Sequence, residues 1–234
     1  MTAPLPHPPL HVIDQALTRA DLATLLAPGE EPAVFERCSF EGEDLSRLNF
    51  SRARFIRCNL VQARFERADL SGTHWQSCRA AQADFHLADL TEAHFDHCDL
   101  NNTAWARCKL ASAQFTGVKL TGAHFTNAQT LGLAFSDSLL VGADLRGLSF
   151  RKQTLEGLDL SEADLSGCDF RDAVFKGGSL RDAHLKNTQF ERADLRSVDL
   201  SGVSIAMLMH SFKGSVISGE QAARLIEGLG VRVD

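Results

Sequence analysis

The sequence predicts an all-β solenoid wound from five-residue units of short strand and tight turn. Three observations predict it. Bulky apolar residues recur at every fifth position: from Phe35 to Ile205, the 35 positions divisible by five hold 14 Phe, 16 Leu and two Trp. Ala80, Thr130 and Ile205 are the departures from this column. The position two residues earlier is small or moderately apolar, with 15 Ala and all six Cys. The three remaining positions of each unit are mostly Asp, Arg, Ser, Thr, Gly, Asn, Gln and Lys. A helix repeats every 3.6 residues and a strand every two, so neither accounts for a period of five. Two inward and three outward positions per unit fit a coil that turns one corner per unit. Such a coil buries its apolar side chains by stacking on the next.

Composition narrows the function classes. The 234 residues are 44% hydrophobic and 23% charged, as in a folded globular protein long enough for a substantial core. A net charge of -6 argues against bulk binding to nucleic acid. No apolar run is long enough for a membrane span. The opening MTAPLPHPPL lacks a basic region followed by an apolar one, so no secretory signal is expected and a cytoplasmic location is the default. There is no Gly-rich phosphate loop, nucleophile elbow or zinc-type ligand motif. A non-enzymatic protein without cofactor or metal is therefore expected.

The unit resembles the motif of the pentapeptide-repeat family, A-D/N-L-x-x. It stands as ADLSG at 68–72 and 163–167, ADLTE at 88–92, ADLRG at 143–147 and ADLRS at 193–197. The resemblance runs from 33 to 207 and implies a right-handed quadrilateral β-helix of four units, or 20 residues, per coil. Nearly nine coils spaced ~4.8 Å apart would result. Residues 20 apart should then stack. Phe35, Phe55, Trp75, Phe95, Phe115 and Phe135 would make one aromatic ladder, and Phe65, Phe85, Trp105 and Phe125 a second. Leu100, Leu120, Leu140, Leu160, Leu180 and Leu200 would make a leucine wall.

Three segments are expected: an N-terminal cap (1–32), the β-helix (33–207) and a C-terminal cap (208–234). The stretch TRADLATLLA (18–27) reads as a short helix with Thr18 as N-cap, Asp21 three residues on, and Pro28-Gly29 as its stop. Ala20-Asp21-Leu22 also fits a degenerate first repeat in another register. Ser218 and Gln221 suit a capping box for a second helix ending near Gly228 or Gly230, with Val231–Val233 as a closing strand. Phe212, Leu225, Ile226 and Leu229 would either fold onto the last coil or form a two-fold homodimer interface. In the middle, Thr130 sits at a core position, and Leu133, Leu139, Leu148 and Leu158 occupy places usually small or polar. No acidic residue lies between Asp99 and Asp137, while Arg107, Lys109 and Lys119 are basic. A local bulge or kink is expected there. Cys38, Cys58, Cys78 and Cys98 lie 20 apart and should be buried free thiols, because a straight ladder cannot converge on a tetrahedral metal. His74 and His94 should stack on the outside, near His97.

Charge distribution carries the functional expectation. The repeat region holds 23 acids and 20 bases, far too balanced to imitate duplex DNA on every side. Sorted by wall, one stands out: from the leucine wall to the second aromatic wall lie Glu41, Glu43, Asp44, Asp84, Asp144, Glu162, Asp164 and Asp182. Arg64 and Arg181 are the bases there. Asp before each large residue is also what a turn needs for side-chain-to-backbone bonding, so a merely solvated wall is the competing reading. The array and the tail SGEQAARLIEGLGVRVD resemble the subgroup that protects bacterial type II topoisomerase from quinolones or peptide toxins, described as dimeric DNA mimics. That resemblance implies binding to DNA gyrase or topoisomerase IV through Glu41, Asp44, Asp84, Asp144, Glu162, Asp164 and Asp182. The alternative is a pentapeptide-repeat scaffold for another protein partner.

Overall fold

The structure is a computed structural model that describes residues 10–26 and 32–233. It is a right-handed quadrilateral β-helix with helices near both ends. One wall is built of three-residue parallel strands: β1 (His11–Ile13), β2 (Val34–Glu36), β3 (Arg54–Ile56), β4 (His74–Gln76), β5 (His94–Asp96), β6 (Gln114–Thr116), β7 (Ala134–Ser136), β8 (Thr154–Glu156) and β9 (Val174–Lys176). The helices are α1 (Arg19–Leu25), α2 (Ile205–Ser211) and α3 (Gly219–Glu227). The chain divides into two compact units, Met1–Val118 with Asn127–Ala134, and Lys119–Thr126 with Phe135–Asp234.

The 20-residue coil is seen directly in the register. Phe35 lies opposite Phe55, Phe55 opposite Trp75, and Trp75 opposite Phe95. The other walls are joined by single bridges at the same interval, such as Ser39 to Asn59, Asp44 to Arg64 and Asn49 to Asp69. Backbone amides reach carbonyls of the neighbouring coil, as Phe40 does at Asn59 (2.7 Å). Nearly every corner places the second residue after the large one in the left-handed region, for example Arg52 at φ 59° and Gln62 at φ 58°. An Asp or Asn before the large residue holds the turn by accepting the amide two residues on, as Asn49 does from Ser51 (2.8 Å).

In the first unit the core is two aromatic ladders meeting across the tube. Phe55 and Trp75 stack at 4.3 Å, Phe95 and Phe115 at 4.8 Å, and Phe85 and Trp105 at 4.2 Å. Between ladders the rings meet edge to face, as Trp105 and Phe115 do at 89°. Both geometries are those that the ring quadrupole favours. Trp75 and Trp105 each come with a buried threonine two residues earlier. The indole Nε1 donates to Thr73 Oγ1 (2.9 Å) and Thr103 Oγ1 (2.7 Å), and these hydroxyls donate to the Leu70 and Leu100 carbonyls (both 2.6 Å). In the second unit Phe150, Phe170 and Phe190 form a third ladder, stacked at 4.8 and 5.0 Å. Leu120, Leu140, Leu160, Leu180 and Leu200 are buried there as expected, and Leu100 is buried in the first unit.

The ends differ from the sequence reading in instructive ways. Helix α1 forms with the Thr18–Asp21 capping box, yet Leu22 is also fully buried, so the helix sits where a degenerate repeat would have put its large residue. The expected stop at Pro28-Gly29 lies outside the described residues. Upstream, β1 pairs with β2 at an offset of 23, Val12 opposite Phe35, so the chain before α1 already forms part of a coil. Ile205 is not a repeat residue; it begins α2, with Ser204 as N-cap. After α2 the chain rejoins the stack at an offset of 22, with Phe212 on Phe190 at 4.6 Å and Val216 bridging Asp194. Helix α3 has the expected Ser218–Gln221 capping box, but Val231–Val233 is not a strand.

The central irregularity is not a bulge within either unit. Lys109 bridges Gln129 in the first, and Lys119 bridges Leu139 and His124 bridges Asp144 in the second, all at 20. Leu133, Leu148 and Leu158 are simply taken into the core. Local disorder of the pattern is confined to one turn, where Thr130 is half-buried and Leu131 is 85% exposed.

Candidate protein-binding surface

The eight acidic residues expected on one wall fall into two patches of four, one in each unit. In the first, Asp44, Arg64 and Asp84 are consecutive rungs of a single bridge column. Glu41 lies on the turn before Asp44 and accepts from Asn59 Nδ2 (2.7 Å). Glu43 turns toward α1 and accepts the Arg19 amide (3.1 Å). Asp44 accepts the Ser46 amide (3.1 Å) and meets Arg64 Nη2 at 2.7 Å and Arg19 Nη1 at 3.9 Å. Hydrogen bonds from Ser46 and the two guanidinium groups hold its carboxyl below the usual range.

In the second patch Asp144, Asp164 and His184 are consecutive rungs. Glu162 and Asp182 occupy left-handed corner positions one coil apart, at φ 59° and 54°. Arg146 grips Asp144 with both arms, Nε at 2.8 Å and Nη2 at 2.6 Å, and lies 3.6 Å from Asp164. That fork is the main reason the Asp144 carboxyl is held below its ordinary value. Sorting by wall overlooked Arg146, because it follows Leu145 around the corner. The signal was the spacing D-L-R, and the same two-residue fork recurs at Asp169–Arg171 and Asp194–Arg196. The arginines that meet these carboxylates are Arg19 and Arg64 in one patch and Arg146 in the other.

Of the four residues expected at a dimer interface, Phe212 is corrected. It is 5% exposed and caps the third aromatic ladder, so it belongs to the core. Leu225 is half-buried, and Ile226 and Leu229 are 41% and 64% exposed on α3. Gln221 Nε2 fastens α3 to the last coil through the Leu195 (2.8 Å) and Val198 (2.7 Å) carbonyls. Met207 and Met209 on α2, with Val231 and Val233 after α3, add exposed apolar surface that sequence reasoning did not single out.

All six cysteines are free and buried. Their thiols donate to carbonyls, Cys78 to Phe55 (3.2 Å) and Cys168 to Leu145 (3.1 Å), and burial pushes Cys108 and Cys168 up to about 12. His74 and His94 stack at 4.8 Å, 2° from parallel. Among the described residues no cluster of three His, Cys, Asp or Glu could hold a metal, and no helix is long and apolar enough to cross a membrane.

Coil period, strand register and turn chemistry together define a pentapeptide-repeat solenoid. The profile described as "Pentapeptide repeat region" matches residues 31–105, and that described as "Pentapeptide repeats (8 copies)" matches 88–127, 135–172 and 168–205. The chain belongs to the pentapeptide-repeat family. Two solved structures of trypsin-treated QnrB1 variants, described as a plasmid-mediated fluoroquinolone resistance protein, share the fold. One is 19% identical with a TM-score of 0.62, the other 21% identical with a TM-score of 0.55. Both alignments cover 97% of this chain and 98% of the other. No curated protein matches the sequence.

Proposed function

We propose that this protein is a non-enzymatic DNA mimic that binds bacterial DNA gyrase or topoisomerase IV. It acts in the cytoplasm as a homodimer joined through α3, and protects the enzyme from quinolones or peptide poisons. The observation that carries the reading is a bridge column in each unit, bearing Asp44 and Asp84 in one and Asp144 and Asp164 in the other, with Glu41, Glu162 and Asp182 on the adjoining corners. Asp144 and Asp164 on successive rungs ~4.8 Å apart, and Asp44 and Asp84 two rungs apart, offer a basic DNA-binding groove negative charge at the spacing of the coils. The likeness in fold to a fluoroquinolone resistance protein is in keeping with this.

A second reading, a scaffold for some other protein, is favoured by the arginines on Asp44 and Asp144, which blunt the charge. A supercoiling and cleavage assay separates the two. Purified protein should inhibit gyrase supercoiling or relieve quinolone-stabilised cleavage; no effect on either enzyme leaves the scaffold reading. The informative variant is D144N/E162Q/D164N/D182N. Asp144 and Asp164 also accept turn amides, from Arg146 (3.2 Å) and Ser166 (3.0 Å), and asparagine keeps that acceptor, as Asn49 and Asn59 do in this chain. The variant should lose the enzymatic effect with little change in thermal unfolding. Full activity after neutralisation would count against the acidic surface.

A further inference from the structure

Between α2 and the coil beside it, wholly within the second unit, lies a cleft of about 680 Å³ open to solvent. Its volume falls in the range of small-molecule sites, ~300–1,000 Å³. The lining has two chemistries. Leu185, Ala206 and Met207 supply a carbon floor, and His184, Lys186 and His210 stand around it. The arrangement follows from the backbone. His184 on its bridge and Lys186 at the start of the next turn flank the buried Leu185, and both are exposed beside it. Met207 and His210 are three apart on α2 and therefore share the face that closes the cleft. Neither the Lys186 ammonium nor the His210 imidazole has an ion-pair partner among the described residues. The one carboxylate in the lining, Asp164, already has Arg146 3.6 Å away.

We propose that this cleft is a binding site for an amphiphilic anion, an aromatic carboxylate of about two fused rings. The ring system would lie on Met207 and Ala206, where a thioether favours an aromatic neighbour. The carboxylate would take charge-assisted hydrogen bonds from Lys186 and His210. A neutral aromatic leaves the ammonium unmatched, and a small carboxylate leaves the floor wet, so both halves of the ligand are needed. The site is independent of the topoisomerase reading.

The test is a titration of the full chain with 2-naphthoate, followed by calorimetry and by amide chemical shifts. Saturable one-to-one binding should move signals of residues 184–187 and 206–211. Lys186→Met with His210→Gln should weaken binding about tenfold or more, the scale of losing charge-assisted hydrogen bonds. Naphthalene-2-methanol and acetate should each bind far more weakly than 2-naphthoate. The proposal is overturned if the double variant binds equally well, if acetate binds as tightly, or if the shifts appear on α3 instead. Because the shift map uses the unaltered protein, a variant that misfolds does not remove the test.

Discussion

Substituting Thr73 by alanine restores the small residue found at most equivalent positions, yet it should be among the more damaging single changes in the first unit. Thr73 Oγ1 accepts the Trp75 indole N–H at 2.9 Å and donates to the Leu70 carbonyl at 2.6 Å, with the side chain fully buried. The Leu70 carbonyl keeps the Thr73 amide at 3.3 Å, so it is not orphaned. The indole N–H is, at about 1–3 kcal/mol, and the lost methyl leaves a small cavity of about 1 kcal/mol. Together Thr73→Ala should cost about 2–4 kcal/mol, a large share of the ~5–15 kcal/mol that stabilises a typical domain. Adding Trp75→Phe removes the donor and turns residues 73–75 into Ala-His-Phe, the triplet standing at 93–95 in the next coil. The double variant should therefore be less destabilised than the sum of the singles, by about 1–2 kcal/mol. Urea unfolding followed by circular dichroism measures all four corners of the cycle, and Trp105 remains as a fluorescent reporter. A loss under about 0.5 kcal/mol for Thr73→Ala, or additivity within ~0.3 kcal/mol, would refute the paired role of the two residues.

Other expectations follow from single features. A Cβ at Gly178 would lie 2.2 Å from the Leu158 carbonyl oxygen at a backbone φ of +86°, whereas one at Gly142 meets nothing within 4 Å. Gly178→Ala should thus cost more than about 3 kcal/mol and Gly142→Ala only about 1 kcal/mol in chemical denaturation. The six thiols should fail to react with a disulfide reagent at pH 8 until the protein is unfolded in guanidinium; fast labelling of native protein would contradict their burial. His74 titrates below the usual histidine range because its ring is desolvated and His94 and Arg54 lie beside it, against the opposing pull of Asp96. The unfolded chain then takes up that proton first. The stability it confers is present above about pH 6.5 and is lost as pH falls below it, a slope that His74→Gln should reduce in thermal scans. Phe212→Ala should lower stability by about 3 kcal/mol or more, while Leu229→Ser should leave it within about 0.5 kcal/mol and change only the sedimentation of any dimer.

The coil was legible because a lateral stack repeats the same environment every 20 residues, and the column of large residues samples that environment at every wall. What the sequence hid were shifts of phase. Val12, Leu17 and Leu22 are themselves five apart, but β1 meets β2 at an offset of 23, so they fall outside a column counted from Phe35. Helix α2 likewise makes the chain return at an offset of 22, which disguised Phe212 as a surface residue when it is the last ring of a ladder. A helix between two sides of a coil changes the count without disturbing the stack. The acidic wall was legible as a set of positions and not as a charge. A guanidinium reaches across a corner, so Arg146 neutralises a wall to which its own Cα does not belong.

That distinction bears on which acids speak for function. Asp44, Asp84, Asp144 and Asp164 each accept the amide two residues on, and the same bond is made by Asp69, Asp89, Asp159 and Asp199 on other walls. An aspartate at that position is therefore explained by the turn wherever it stands, and its charge is incidental to its selection there. Glu162 and Asp182 are different. They sit at left-handed corner positions, which this chain fills with Arg, Gln, Ser, Asn and Gly alike, and their side chains accept no hydrogen bond among the described residues. A carboxylate that neither the turn nor an ion pair uses leaves its charge available to a partner. Neutralising Glu162 and Asp182 alone should therefore remove more of any partner binding than neutralising Asp69 and Asp89, while costing the fold less; equal losses from the two pairs would mean that the turn, and not a partner, accounts for the acidic wall.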